Sequence, residues 1–315
     1  MKQIKPRTFV SLTGGLGNQL FQLAAGMANS EKSLEVITYF GSPRLNIDEN
    51  PDLLDFQLPA RVSISKYRKS DFFTQKVTGY LLRKGIDPRG FEKNLVYQRM
   101  TQFLSEIILS IKTRVYVRLQ VSEDVGYSNL KSSPSNSLLI GYFQTYKWAS
   151  GESTLDSLKS MRLVKNFEEL DKYRKIAEIE SPLAVHVRLG DYRNETTFGL
   201  LSNEYYRLAI HSQLKTDSYS EIWLFSDELE SATSVLPKDL DIPVRLIPMV
   251  NNSSAATLEV MRLCKGYVIA NSTFSWWGAF LSYTNNAIVF APHPWFNGIN
   301  DPRDLIPPHW NLVDV

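Results

Sequence analysis

Short apolar runs rich in β-branched and aromatic residues recur along this chain with helix-length segments between them, and that alternation narrows the fold more than any other feature. A strand followed by a crossover helix re-enters its sheet as a parallel neighbour, so repeated alternation builds parallel sheets flanked by helices. The runs predict strands at Phe9 to Leu12, Val36 to Phe40, Leu138 to Tyr142, Ala184 to Val187, Ile222 to Phe225, Val244 to Ile247, Tyr267 to Ala270 and Ala287 to Phe290. Helices are expected at Leu20 to Ser30, Asp71 to Leu82, Glu152 to Leu163, Phe167 to Ile179, Asn203 to Leu214, Ala255 to Leu263 and Thr273 to Leu281. So many strands exceed one short Rossmann sheet. The expected fold class is α/β, with two Rossmann-like domains facing a cleft. Ser150, Gly151 and Ser153 interrupt the apolar pattern, which divides the chain into residues 1–155 and 156–315.

The length of 315 residues suffices to bury roughly three quarters of the unfolded surface. Hydrophobic residues at 43% and charged residues at 22% are ordinary for a globular protein and exclude collagen, disorder and low-complexity sequence. With 35 Lys and Arg against 33 Asp and Glu the net charge is +2, so no overall field marks a nucleic-acid binder. The distribution is uneven. Residues 61–118 hold 13 Lys and Arg against Asp71, Asp87, Glu92 and Glu106, a local excess of +9 that leaves −7 elsewhere. Lys66, Arg68, Lys69, Arg83 and Lys84 in that stretch are expected to make a peripheral contact with anionic lipid at an inner membrane, with a solvated basic face as the bland alternative.

The single cysteine, Cys264, has no intramolecular disulfide partner and reads as a buried, inert thiol of a reducing compartment. Glycosylation-type triplets at Asn194, Asn251, Asn252 and Asn271 are read as unmodified, because a glycan on Asn271 would block a candidate ligand site. The most apolar region, Phe103 to Val121, is broken by Glu106, Lys112, Arg114 and Arg118, so no membrane span is expected. The basic start runs into glycines without an apolar signal segment, which points to a cytoplasmic protein.

Four constellations carry chemistry. Thr13-Gly14-Gly15-Leu16-Gly17-Asn18-Gln19 follows a strand and opens a helix; Gly15 and Gly17 let backbone N–H groups approach a ligand, and the Asn18 and Gln19 amides suit a polar one. A dinucleotide fingerprint would need a glycine where Leu20 stands and an acid where Tyr39 and Phe40 stand, so an oxidoreductase is disfavoured. In Ala184-Val185-His186-Val187-Arg188-Leu189-Gly190-Asp191-Tyr192, alternation places His186 and Arg188 on one face, at the carboxyl end of a strand. Arg188 can grip a pyrophosphate bidentately, Gly190 admits it, and Asp191 can orient either neighbour; a structural ion pair is the alternative. After another apolar strand, Asn271, Ser272, Thr273 and Ser275 form a candidate anion cradle, with Ser272 or Thr273 able to cap the next helix and Trp276 and Trp277 as walls. Last, Ser226 and Asp227 end a fourth run, where Asp227 either caps a helix or meets a ribose or base edge.

GGLGNQLFQLA, GYFQTYKW, HVRLGDY, FSDE, ANSTFSWWGA and APHPWF, in that order, resemble the bacterial α-1,2-fucosyltransferases of glycosyltransferase family 11, over Gly14 to Ala291 and beyond. The resemblance implies a GT-B fold, an acceptor-side first domain, and GDP-fucose held mainly by the second. It implies inverting transfer, without metal or other cofactor, to the 2-hydroxyl of a galactose-terminated acceptor, as in O-antigen or other surface-saccharide synthesis. Arg188 would bind the donor pyrophosphate and assist GDP departure. One position departs from the family's commonest H-x-R-R-G-D-Y form: Leu189 replaces the second arginine. Alternation turns residue 189 away from Arg188, leaving a second phosphate contact without its usual residue.

Breaking the sugar–phosphate bond builds negative charge on GDP, which Arg188, Ser272, Thr273 and backbone N–H groups can stabilise. Asp191 and His186 are both candidates for the base that deprotonates the acceptor, and Asn18 is a candidate positioning group. Two rival classes remain. Asp239-Leu240-Asp241 matches the short D-x-D pattern of metal-dependent sugar-nucleotide enzymes, although it precedes its strand; loss of activity in EDTA would favour it. A non-catalytic nucleotide-sugar or glycan-binding protein would bind donor without acceptor-dependent GDP release.

Overall fold

The computed structural model describes residues 7–30, 34–37, 51–65, 95–113, 117–122, 125–130, 136–194, 198–298 and 300–315. They fall into two units, one of Met1–Met161 with Pro302–Leu305 and one of Arg162–Asp301 with Ile306–Val315. The expected division at residue 155 falls inside the helix Glu152–Ser160, whose Thr154 and Leu158 are buried and which packs on the first long helix of unit 1. The break follows the end of that helix, within the stretch from Ala149 to Asn166 in which the sequence places the boundary.

Unit 1 contains β1 (Thr8–Ser11), α1 (Leu16–Ala28), β2 (Leu34–Ile37), β3 (Val62–Ser65), α2 (Leu95–Thr113), β4 (Val117–Val121), β5 (Asn136–Ile140), α3 (Tyr146–Ala149) and α4 (Glu152–Ser160). All of its strand pairs are parallel, in the order β3-β2-β1-β5-β4. The order reverses between β1 and β5, so a crevice opens at their carboxyl ends. Helix α1 reads LGNQLFQLAAGMA and is apolar almost all round, which fits its burial. A side chain at Gly26 would strike Leu34 and Val10; the glycine lets α1 lie directly on β1 and β2.

Helix α2 packs in an unusual sense. Gln102 donates to the Leu119 carbonyl (2.7 Å), Glu106 accepts from the Leu119 N–H (2.9 Å) and Ser110 accepts from the Val117 N–H (3.2 Å). Its polar face therefore satisfies the open edge of β4, the outermost strand. The opposite face carries Met100, Phe103, Leu104, Ile107 and Ile111, which are 42 to 72% exposed among the described residues.

Unit 2 contains α5 (Glu168–Ile179), β6 (Leu183–Val187), α6 (Asn203–Thr216), β7 (Ile222–Ser226), α7 (Leu229–Thr233), β8 (Val244–Ile247), α8 (Ser254–Met261), β9 (Gly266–Val268), α9 (Thr273–Phe280), β10 (Ile288–His293) and β11 (Asn311–Asp314). Its strands are also all parallel, in the order β11-β10-β9-β6-β7-β8. Counted from β6 this is the 3-2-1-4-5-6 winding of a Rossmann sheet, with the reversal between β6 and β9. Val185, Val187 and Leu189 pack with Tyr205, Tyr206, Ala209 and Ile210 of α6 in one apolar cluster. The Tyr206 hydroxyl donates to the His186 carbonyl (3.3 Å) and the Tyr205 hydroxyl to that of Ile269 (2.5 Å), fastening α6 beneath the switch point.

The two Rossmann-like α/β units are the ones expected, and the eight strands sit within three residues of their predicted ends where described. β3, β4 and β11 had no predicted counterpart: all are edge strands, too polar or too short to show an apolar run. The helix expected at Asp71 to Leu82 lies outside the described residues, as do Lys66, Arg68, Lys69, Arg83 and Lys84. No helix among the described residues is long and apolar enough to cross a membrane.

Candidate active site

The HVRLGDY segment leaves β6 at the switch point of unit 2, and its alternation holds beyond the strand end. Leu189 turns into the α6 cluster while Arg188 turns out, so the absent second arginine leaves a packed leucine in its place. The Arg188 guanidinium is held at two points, Nη2 lying 2.7 Å from Asp191 Oδ1 and Nη1 3.4 Å from Asp227 Oδ2. It also lies 5.5 Å from the Tyr192 ring. Two carboxylates around one guanidinium fix its plane in advance and leave a third of the side chain exposed to meet an anion.

Asp227 does not cap a helix; Glu228 occupies the N-cap position of α7, and its N–H donates to Ser226 Oγ (3.0 Å). Asp227 Oδ1 accepts from the Leu189 N–H (3.0 Å) while Oδ2 reaches Arg188. A Cβ at Gly190 would strike the same Oδ2, so this glycine admits a carboxylate of the protein where the sequence suggested room for a phosphate. Ser226 and Asp227 thus shape the turn that carries Arg188. The neighbouring Arg193 pairs with Glu228 at 2.6 Å.

His186 shares the Arg188 face but is only 5% exposed, 5.9 Å from the Phe274 ring, and its Nδ1 has no hydrogen-bond partner. Burial, reinforced by the positive Arg188, pushes its imidazole down to about 3. It is neutral at physiological pH and a feeble base, which makes the exposed Asp191 the better placed of the two candidates.

At the end of β9, Asn271 is buried and its amide nitrogen donates to the carbonyls of Phe198 (2.6 Å), Gly199 (3.3 Å) and Trp295 (3.3 Å). The Asn271 backbone carbonyl accepts from the Tyr192 hydroxyl (3.1 Å). The residue expected to hold the donor instead ties three loops together. Ser275 is likewise turned inward, to the carbonyls of Ala270 and Ser272, and leaves the cradle. Ser272 stands at the N-cap of α9 without making a side-chain cap bond, and Thr273 beside it is partly exposed. Both hydroxyls stay at the switch point. Trp276 and Trp277 are fully buried and belong to the core.

In unit 1 the glycine turn sits at the other switch point. Gly14 adopts φ 74°, and Gly15 is exposed at the N-cap of α1 with open space where a Cβ would be. Gly17 is buried in the first turn. Gln19 does not face a ligand: its amide bridges the Gly14 carbonyl (2.9 Å) and the Leu53 N–H (2.9 Å). Asn18 accepts from Gln144 Nε2 at 3.0 Å.

Sequence reasoning assigned no role to Gln144, Tyr192, Arg193 or Phe274, although each lies in or beside a quoted motif. Their long-range partners, Asn18, Asn271, Glu228 and His186, are 35 to 126 residues away in the chain, beyond the reach of local pattern. Asp239 and Asp241 do lie at the amino end of β8, exposed, with Asp239 3.4 Å from His211. Among the described residues no three His, Cys, Asp or Glu side chains are grouped to share an ion. Cys264 is buried, and burial pushes its thiol well up, as expected of an inert cysteine.

Two parallel Rossmann-type sheets, each carrying polar residues at its switch point, define an α/β protein of the GT-B type. The model of glycosyl transferase family 11 matches residues 119–312, and the chain belongs to that family; it is a glycosyltransferase. The O-antigen biosynthesis glycosyltransferase WbnK of Escherichia coli is 27% identical over 330 aligned positions, covering 93% of this chain and 96% of its own. An alpha-1,2-colitosyltransferase of Escherichia coli is 24% identical, covering 90% of this chain and 91% of its own. Among solved structures, the fucosyltransferase NodZ from Bradyrhizobium aligns with a TM-score of 0.46 at 14% identity, over 87% of this chain and 91% of its own.

Proposed function

We propose that this protein is a galactoside α-1,2-fucosyltransferase of surface-saccharide synthesis, transferring L-fucose from GDP-fucose with inversion and without a metal. The carrying observation is the Arg188 guanidinium, pre-oriented between Asp191 and Asp227 at the β6/β9 switch point. In the reaction the acceptor 2-hydroxyl attacks the anomeric carbon as the carbon–oxygen bond to the β-phosphate breaks, and GDP leaves with the electron pair. Arg188, with the Ser272 and Thr273 hydroxyls, offsets the charge gathering on that phosphate. The hydroxyl proton passes to Asp191 or to water once the new bond has formed.

A second donor is favoured by one relative, the alpha-1,2-colitosyltransferase. Colitose is the 3-deoxy counterpart of fucose, so the same inversion chemistry serves both. The test is GDP release from GDP-fucose and GDP-colitose, with and without EDTA, with lactose, lacto-N-biose and Galβ1,3GalNAc as acceptors, comparing the intact protein with Arg188→Ala. Acceptor-dependent release that collapses in a folded Arg188→Ala variant supports the reading. Donor binding with no release for any acceptor favours a binding protein, and activity abolished by EDTA favours the Asp239/Asp241 reading.

The peripheral membrane contact takes a specific form. The exposed apolar face of α2 lies within the strongly basic 61–118 stretch, and apolar side chains beside cationic ones are what an anionic bilayer surface accepts. The protein should float with phosphatidylglycerol vesicles at low salt, and Ile111→Glu should lower the bound fraction. No flotation of the intact protein rejects this contact.

A further inference from the structure

The frame around Asn18 concentrates two costs. Phe143 is fully buried at φ 53°, in the left-handed region that an aromatic residue rarely adopts. Gln144, the next residue, is only 7% exposed, and its Oε1 has no hydrogen-bond partner. The turn cannot relax, because it is anchored on every side. The Gln144 N–H donates to the Val125 carbonyl (2.8 Å), the Thr145 N–H to that of Phe143 (2.8 Å) and the Thr145 hydroxyl to that of Asp304 (2.7 Å). Upstream, Gln22 donates to the Gly141 carbonyl (2.9 Å) and accepts from the Thr13 N–H (2.8 Å), joining the ends of β5 and β1.

What this half-satisfied residue, next to the strained Phe143, does achieve is the bond from its Nε2 to Asn18 Oδ1, at 3.0 Å. Donation by Gln144 dictates which end of the Asn18 amide is which. The Asn18 Nδ2 is then left over Gly14, where a Cβ would collide with it, beside the open space at Gly15. We infer that Gln144 is a positioning residue that locks the Asn18 amide with its N–H pair turned to the substrate. Asn18 then offers a donor and no acceptor: it holds a lone pair of a substrate oxygen in place and cannot take that oxygen's proton. This assignment rests on the transferase reading above and deepens it, since it specifies how Asn18 acts as the positioning group.

The test uses two substitutions with opposite structural consequences. Gln144→Met keeps the volume and loses both polar atoms. Gln144→Glu, at pH 8, can only accept, so the Asn18 amide must turn round to keep the bond, presenting its oxygen to the substrate. If the bond merely holds the turn together, Gln144→Glu restores both thermal midpoint and activity. If the bond orients Asn18, both variants lose about 10- to 100-fold in transfer kcat/KM, with GDP affinity by calorimetry unchanged. Near-native turnover by Gln144→Glu, or a fall in GDP affinity equal to the fall in transfer, overturns the assignment. An intact protein that releases no GDP with any acceptor overturns the transferase reading, and the assignment with it, which separates the two failures.

Discussion

His186 gives the protein a measurable acid sensitivity. An unfolded chain takes a proton on this imidazole near the ordinary histidine value of 6.5, whereas the folded protein, with the ring buried beside Arg188, takes it only at about 3. Between those values the unfolded state holds one more proton than the folded one. Stability supplied by the neutral ring is complete above 6.5 and is lost as pH falls toward 3. At about 1.4 kcal/mol per pH unit, the loss between pH 7 and pH 5 is about 2 kcal/mol, and the whole window is worth about 5 kcal/mol at most. Substituting His186→Gln removes the titration. Urea denaturation at pH 7 and pH 5, followed by tryptophan fluorescence, isolates the effect, because five of the six tryptophans (Trp223, Trp276, Trp277, Trp295 and Trp310) belong to unit 2. Any pH-independent cost of the substitution cancels in the difference between the two pH values. The variant should lose about 2 kcal/mol less than the intact protein over this interval. Equal losses in both proteins would show that His186 is not held neutral, and the burial argument would fall.

Three further outcomes follow from named contacts. Arg188→Lys keeps the charge but cannot span Asp191 and Asp227 with a planar fork, so transfer should fall by about 10²-fold or more while circular dichroism and thermal midpoint stay close to native. Gly190→Ala forces a methyl against Asp227 Oδ2 and should cost about 1–3 kcal/mol in chemical denaturation, together with weaker GDP binding by calorimetry as the Arg188 turn shifts. Leu189→Ala should cost about 2–4 kcal/mol through the cavity left in the α6 cluster yet leave GDP affinity within twofold; a large affinity loss would mean that residue 189 faces the ligand.

The sequence alone determined the parallel α/β architecture and the chain segments that supply the site. Period-two alternation in VHVRL put Val185, Val187 and Leu189 on one face and His186 and Arg188 on the other, and the three-dimensional packing agrees. Central strands were legible because burial on both faces leaves a continuous apolar run, while β3, β4 and β11 escaped because edge strands carry polar residues. Helix α2 was hidden for the opposite reason. Its polar side faces the protein, closing the β4 edge with side-chain hydrogen bonds, so its pattern does not reveal which side is inside.

Only the tertiary structure decided what the polar residues of the motifs do. Asn271, Ser275, Gln19 and Asp227 looked like ligand groups, yet each makes hydrogen bonds within the protein, three of them to groups far away in sequence. Gln144 acquires its importance from Asn18, 126 residues distant. A side chain's type and local spacing fix which way it leaves the backbone. Which buried donor or acceptor it must satisfy depends on what the fold brings beside it, and that partner is written in no local pattern.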